Sequence, residues 1–113
     1  MIQFYDFGEI RIDAKIYTSD VIIYPDRVDS SWWRKTSHEL GTYDIPDEVI
    51  KQNPDVILVG TGYYGDMKVL PESKKLIESK GIKLIIEDTQ KACETYNQLS
   101  KNQKIIALFH LTC

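Results

Sequence analysis

The sequence predicts an α/β domain, a three-stranded parallel or mixed core extended or capped by antiparallel β elements at its N-terminus. Three observations predict it. Residues 56–59, 82–86 and 105–109 are short, almost wholly apolar runs, helical patterns stand between them, and the N-terminal third alternates polar with apolar. Runs buried on both faces suit a parallel sheet covered by crossover helices, and strict alternation suits an antiparallel sheet with one wet face.

Taken in order, residues 2–4 read as a first short strand, with Gly8 at the turn that follows. Across residues 9–17, Glu9, Arg11, Asp13 and Lys15 alternate with Ile10, Ile12, Ala14 and Ile16, which predicts one continuous strand. Residues 21–24 read as the third strand of a small meander, stopped at Pro25-Asp26, where proline cannot donate to a ladder. Residues 26–43 form the one long irregular stretch. Residues 46–52 predict a short helix ending before Asn53-Pro54. After Pro71, an early Glu72, a late Lys80 and Gly81 at the stop predict a helix that matches its own dipole. A further helix opens at Asp88 or Thr89 and carries Ala92, Cys93, Tyr96 and Leu99 at helical spacing. The tail is therefore βαβαβ with right-handed crossovers.

The chain has 113 residues, one domain's worth, and we take 1–113 as a single domain. Lys and Arg number 14 against 17 Asp and Glu, a net charge of −3, which argues against a nucleic-acid binder that neutralises phosphates. The longest apolar runs fall far short of the roughly 20 residues that cross a bilayer, so no membrane segment is expected. The acidic start MIQFYDFGEIRID lacks the basic end and apolar stretch of a secretion signal, which predicts a cytoplasmic chain. Cys93 and Cys113 fit neither a C-x-x-C pair nor a zinc spacing and are expected as free thiols.

Three constellations could carry chemistry. Gly60-Thr61-Gly62-Tyr63-Tyr64-Gly65 is a literal G-x-G-x-x-G directly after a strand, and Glu87-Asp88 closes the next strand, as a dinucleotide site would require. Against it, Asp66 to Leu70 separate the glycines from the first position where a helix can start, so a plain glycine-rich loop is the stronger reading. If the three apolar strands are parallel, their carboxyl ends gather Gly60, Thr61, Gly62, Asp88, His110 and Cys113 on one edge. A last strand on the far side of the first would leave a ligand crevice beside Gly60. His110 and Cys113 could then act as base and thiolate, though a histidine satisfied by a local hydrogen bond is the commoner case. The third constellation is the loop with Trp32, Trp33, Arg34 and His38. Two adjacent tryptophans cannot both face inward, and Trp and Arg are enriched at binding hot spots, which marks a partner site. On that reading Trp32→Ala or Arg34→Ala spares the fold and weakens partner capture. His38 with His110 lacks a third ligand at sensible spacing, so no metal is assigned. Tyr96 fits the apolar stripe of its helix, and Asn97 lies beside it, placed to cap a strand or loop end.

The succession Trp33-Arg34, Gly60-Thr61-Gly62, Leu70-Pro71, Gly81-Ile82, Asp88-Thr89, Ala92, Thr95-Tyr96-Asn97-x-Leu99 and His110-Leu111-Thr112-Cys113 resembles the small Mth-domain family. That family includes the adipogenesis-associated Mth-domain protein and, more distantly, the mitochondrial complex I assembly factor 3. The resemblance runs from about residue 20 to the end, and the closing His-x-Thr-Cys looks most like the adipogenesis-associated and archaeal branch. It implies a three-layer Mth-domain-like fold with a mixed, largely parallel central sheet. It implies no established enzyme activity, catalytic residue or cofactor, and it points to assembly or regulatory roles with protein partners. The family's recurring positions fall here on Trp33, Arg34, the Gly60 to Gly62 turn, Asp88, Tyr96, Asn97, His110 and Cys113.

Two functional expectations follow. The first is a non-enzymatic interaction, assembly or regulatory module contacting a protein through the tryptophan loop and the strand-end edge. The alternative is a small-molecule site, nucleotides included, or an enzyme in the crevice at the strand ends, with Gly60, Thr61, Gly62, Asp88, Asn97, His110 and Cys113 as candidates. A homo-oligomer needs an apolar patch that sequence alone does not locate.

Overall fold

A computed structural model describes residues 1–113. Its N-terminal strands β1 (Ile2–Asp6), β2 (Glu9–Ile12) and β3 (Lys15–Tyr17) form an antiparallel sheet in that order. The alternating stretch expected as one strand is thus folded back on itself. Asp13 and Ala14 both take positive φ, 48° and 69°. Two such residues in succession make the mirror-image turn whose twist matches a hairpin. Ala14 lacks the glycine or asparagine signature, so periodicity alone ran straight through it. The turn is held from outside, by the Met1 ammonium on Asp13 and by the Ala14 N–H donated to Gln3 Oε1 at 2.8 Å.

Then follow β4 (Val21–Ile23), β5 (Val28–Asp29), β6 (Glu39–Leu40), α1 (Asp47–Lys51), β7 (Val56–Thr61), β8 (Lys68–Val69), α2 (Pro71–Ser79), β9 (Lys83–Glu87), α3 (Thr89–Leu99) and β10 (Ile105–His110). The central sheet has the order β5-β4-β10-β7-β9. β7 runs parallel to both β9 and β10, whereas β4 is antiparallel to β10 and to β5. This is the mixed, largely parallel sheet the sequence predicts. β4 departs from expectation: it leaves the meander for the central sheet. All three of its residues are buried, which a one-sided meander cannot provide. The irregular stretch also hides β5 and β6, whose two-residue lengths carry no periodicity; β6 pairs in parallel with β8.

Alternation along the buried strands divides the core into two. Ile22, Ile57, Val59, Ile106 and Leu108 pack with Trp32, Leu40 and Ile77 on the face covered by α2 and the loop after β5. Val21, Ile23, Val56, Leu58, Ala107 and Phe109 pack with Ile10, Ile12 and Ala92 on the face covered by α3 and the N-terminal sheet. Each strand feeds both cores because successive side chains point to opposite faces. No helix is long and apolar enough to cross a membrane.

Candidate functional site

β10 lies on one side of β7 and β9 on the other, so the crossovers reverse direction beside β7. The carboxyl ends of these strands bring together the Gly60 to Gly65 loop, Glu87-Asp88 and His110 to Cys113. The crevice between β7 and β10 is nevertheless filled by the chain itself. Thr89 Oγ1 accepts the Gly62 N–H at 2.8 Å and donates to the His110 carbonyl at 2.6 Å. The Tyr63 N–H donates to Thr112 O at 2.9 Å, and the Gly8 N–H and Tyr5 hydroxyl both donate to Leu111 O. Gly62 has φ +104°, and a Cβ there would stand 2.5 Å from Thr112 O and 2.8 Å from His110 Cδ2. A Cβ on Gly60 would meet Thr89 Oγ1 at 2.8 Å. These glycines therefore admit the chain's own threonine and terminal segment, not a pyrophosphate. Asp88 reinforces the point, because its carboxylate caps α3 by accepting the Lys91 N–H and occupies the place an anion would take.

His110 and Cys113 do not form a base–thiolate pair. Cys113 is exposed, and His110, 3% exposed, commits its Nδ1 elsewhere. Asn97 lies off this edge altogether. It caps the start of β1, accepting the Ile2 N–H and donating to the Ile2 carbonyl, both at 2.8 Å. Cys93 is buried on α3, and burial pushes its thiol up to about 12, which removes it as a nucleophile near neutral pH.

What the fold builds at His110 is a buried charged cluster. The β4–β10 register sets Val21 opposite Phe109, which carries Asp20 to His110. Asp20 Oδ2 receives Arg34 Nη1 at 2.8 Å and His110 Nδ1 at 2.8 Å, and Asp20 Oδ1 accepts the Leu111 N–H at 2.7 Å. Burial raises the Asp20 carboxyl, but the hydrogen bonds from His110, Leu111 and Arg34 outweigh it and hold the group below its usual range. An ionised Asp20 selects the His110 tautomer with the proton on Nδ1. The Arg34 Nη2, 2.9 Å from that same nitrogen, then donates to the Ser37 carbonyl at 2.8 Å. His110 Nε2 and Arg34 Nε are left buried without a partner. Sequence reasoning found Arg34 and His110 but missed Asp20. Its only local signal is a carboxylate at the head of an apolar strand, and its partners lie 14 and 90 residues away.

The tryptophan loop is corrected by the same geometry. Trp32 is buried, donating Nε1–H to Asp44 O at 2.9 Å, with the Arg34 guanidinium 4.8 Å from its ring centroid. Arg34 is 7% exposed. Both are core anchors, so neither presents a contact surface, and truncating either is expected to cost stability. Trp33, 75% exposed, and His38 remain at the surface. The His38 and His110 rings are 6.3 Å apart, and no three His, Cys, Asp or Glu side chains are grouped so as to hold a metal ion, Asp20 being committed to Arg34, His110 and the Leu111 N–H.

At the same end of the sheet an aromatic cluster emerges that sequence reasoning did not single out. Tyr63 contacts Tyr64 at 5.1 Å, Phe7 at 5.8 Å and Tyr5 at 6.3 Å between ring centroids. Phe7, Tyr63 and Tyr64 are all exposed. Next to them, on the β7–β9 side, an open depression of about 560 Å³ is bordered by Tyr64, Lys68, Lys74 and Ile86.

The profile of a family described as “Protein of unknown function (DUF498/DUF598)” matches residues 2–110. Among solved structures, the conserved hypothetical protein PH1505 from Pyrococcus horikoshii OT3 is 32% identical, with a TM-score of 0.85 over 100% of this chain and 99% of that one. XCC1710 from Xanthomonas campestris is 24% identical, with a TM-score of 0.78 over 98% and 83% of the two chains. A Bordetella pertussis protein described as a Mth938-like domain is 19% identical, with a TM-score of 0.68 over 98% and 85%. The last two are similar in fold.

Proposed function

The chain belongs to the DUF498/DUF598 family of unknown function, and on that premise we propose that it is a non-enzymatic interaction module, serving assembly or regulation, whose contact surface is the aromatic end of the sheet. The observation that carries this reading is the exposure of Phe7, Tyr63 and Tyr64 as one connected cluster. Clustered exposed rings are the usual anchors of protein contacts, and here they ride on backbone clamped through Gly62, Thr89 and Thr112, so little ordering entropy is lost on docking. Trp33 is also exposed, on the loop after β5. The closing His110-Leu111-Thr112-Cys113 supports a place nearer the adipogenesis-associated and archaeal branch of the Mth-domain proteins.

A second reading, a site for small anionic ligands such as nucleotides, draws support from the depression beside Tyr64. Lys68 and Lys74 border it with no ion pair, while its two carboxylates are engaged, Glu87 by the Thr95 hydroxyl at 2.6 Å and Asp88 by the Lys91 N–H at 3.0 Å.

One comparison separates the two. Wild type and a Phe7→Ser/Tyr64→Ser variant are used to capture partners from lysate, with circular dichroism as the fold check, and wild type is examined by native mass spectrometry with a nucleotide mixture. A stoichiometric protein lost only from the variant supports the interaction surface. A protein held equally by both sinks it. A nucleotide adduct with no protein partner moves the assignment to the depression.

A further inference from the structure

β9 is the outer strand of the central sheet and pairs with β7 alone. The Lys83 N–H donates to Asp55 O, and the Glu87 carbonyl accepts the Thr61 hydroxyl from β7. In a parallel ladder alternate residues turn both backbone groups toward the same neighbour. Lys83, Ile85 and Glu87 therefore face β7, and Leu84 and Ile86 turn N–H and C=O outward, where no other hydrogen bond reaches them.

Edges of this kind are normally blunted by shortness, proline or inward charge. The opposite edge strand, β5, is two residues long. β9 has five residues and an apolar middle, and while β7 and β10 are buried throughout, its Leu84 and Ile85 are half-buried and Ile86 is 39% exposed.

The order Lys83-Leu84-Ile85-Ile86-Glu87 is antisymmetric in charge about Ile85. Set antiparallel against a second copy with the two-fold at Ile85, Lys83 faces Glu87 of the copy and Glu87 faces its Lys83. Leu84 faces Ile86 of the copy, and the reverse. These are the residues whose backbone groups point outward, so every free N–H and C=O of the edge gains a partner in the hydrogen-bonded pairs. Ile85 faces its own copy as the close, non-hydrogen-bonded pair between them. Centring the two-fold on Leu84 or Ile86 loses the charge match, and parallel pairing sets Lys83 against Lys83. We propose that the β9 edge is the interface of a two-fold homodimer in which the central sheets of two copies join through antiparallel β9 strands. This edge adjoins the depression beside Tyr64 through Ile86, but its test reads self-association and amide protection, which loss of a protein partner from the aromatic end would leave unchanged.

Sedimentation equilibrium from micromolar to millimolar concentration, with amide hydrogen exchange, decides the matter. Wild type is expected to dimerise, and the Leu84 and Ile86 amides to become protected as concentration rises. Ile86→Pro is tolerated on an edge whose N–H faces solvent, keeps the monomer fold and abolishes the dimer. Lys83→Glu, at an exposed position, turns two cross-strand pairs repulsive and weakens dimerisation by about tenfold. A chain monomeric to millimolar concentration overturns the proposal and leaves the edge to a strand of another protein or to none. So does a dimer indifferent to Ile86→Pro, whose Leu84 and Ile86 amides exchange freely.

Discussion

Replacing Arg34 with methionine probes the cluster on which the strand-end geometry rests. The substitution keeps much of the side chain's volume and removes its charge, so packing losses stay small. What is lost is the 2.8 Å pair with Asp20 and the hydrogen bond to the Ser37 carbonyl. Removing one partner of a buried pair costs about 3–5 kcal/mol. Asp20 is 19% exposed in its side chain and still receives His110 and the Leu111 N–H, which places the cost at the lower end, about 3 kcal/mol. For a chain of 113 residues, each kcal/mol moves the midpoint by about 4 °C, so Tm falls by about 12 °C. The effect depends on pH with a definite sign. The Asp20 carboxyl lies below its unfolded value in the native state. It therefore stabilises the fold above about pH 4 and loses that contribution as pH falls through its native pKa. The gap between wild type and Arg34→Met is full at neutral pH and shrinks in acid. Urea denaturation followed by tryptophan fluorescence at pH 7 and pH 3 measures both, with exposed Trp33→Ala as a control that shifts stability by less than about 0.5 kcal/mol. A loss below about 1 kcal/mol at neutral pH, or a gap that does not narrow in acid, refutes the reasoning.

Two further expectations follow from the same region. Gly62→Ala forces a Cβ to within 2.5 Å of Thr112 O at φ +104° and should cost about 3 kcal/mol in denaturation, whereas Gly81→Ala, with nothing within 4 Å, should cost only the left-handed backbone penalty of about 1 kcal/mol. Alkylation by iodoacetamide followed by intact mass should modify exposed Cys113 at neutral pH long before Cys93, whose burial holds the thiol protonated; equal rates would contradict the packing of α3 against the N-terminal sheet.

Much of the fold was legible because its signals are local. The apolar runs that became β7, β9 and β10, proline at the first turn of α2, Gly81 after its end, and Asp88 capping α3 each announce themselves within a few residues. The candidate site was legible only in part. His110, Arg34 and the glycine turn stood out by residue type, but Asp20 did not, since an aspartate before a strand is ordinary until β4 is set antiparallel to β10. The split of Trp32 from Trp33 followed from chain geometry, yet which of the two was buried depended on the Asp44 carbonyl receiving Nε1–H. Phe7 and Tyr63 lie far apart in sequence, and only the contact of the N-terminal hairpin with the segment after β10 brings their rings together.

By itself the sequence determined the periodicities, the caps and the breakers, and hence an α/β class with parallel strands buried on both faces. Tertiary structure alone decided where β4 pairs, that Asp13-Ala14 turns, that the terminal segment fills the crevice beside Gly62, and that the edge of β9 stays open. The physical reason is the range of the interactions. Helix caps and side-chain alternation act over a few residues of one chain segment, whereas ion pairs, sheet order and the closing of a crevice join residues whose separation along the chain leaves no mark on the sequence around them.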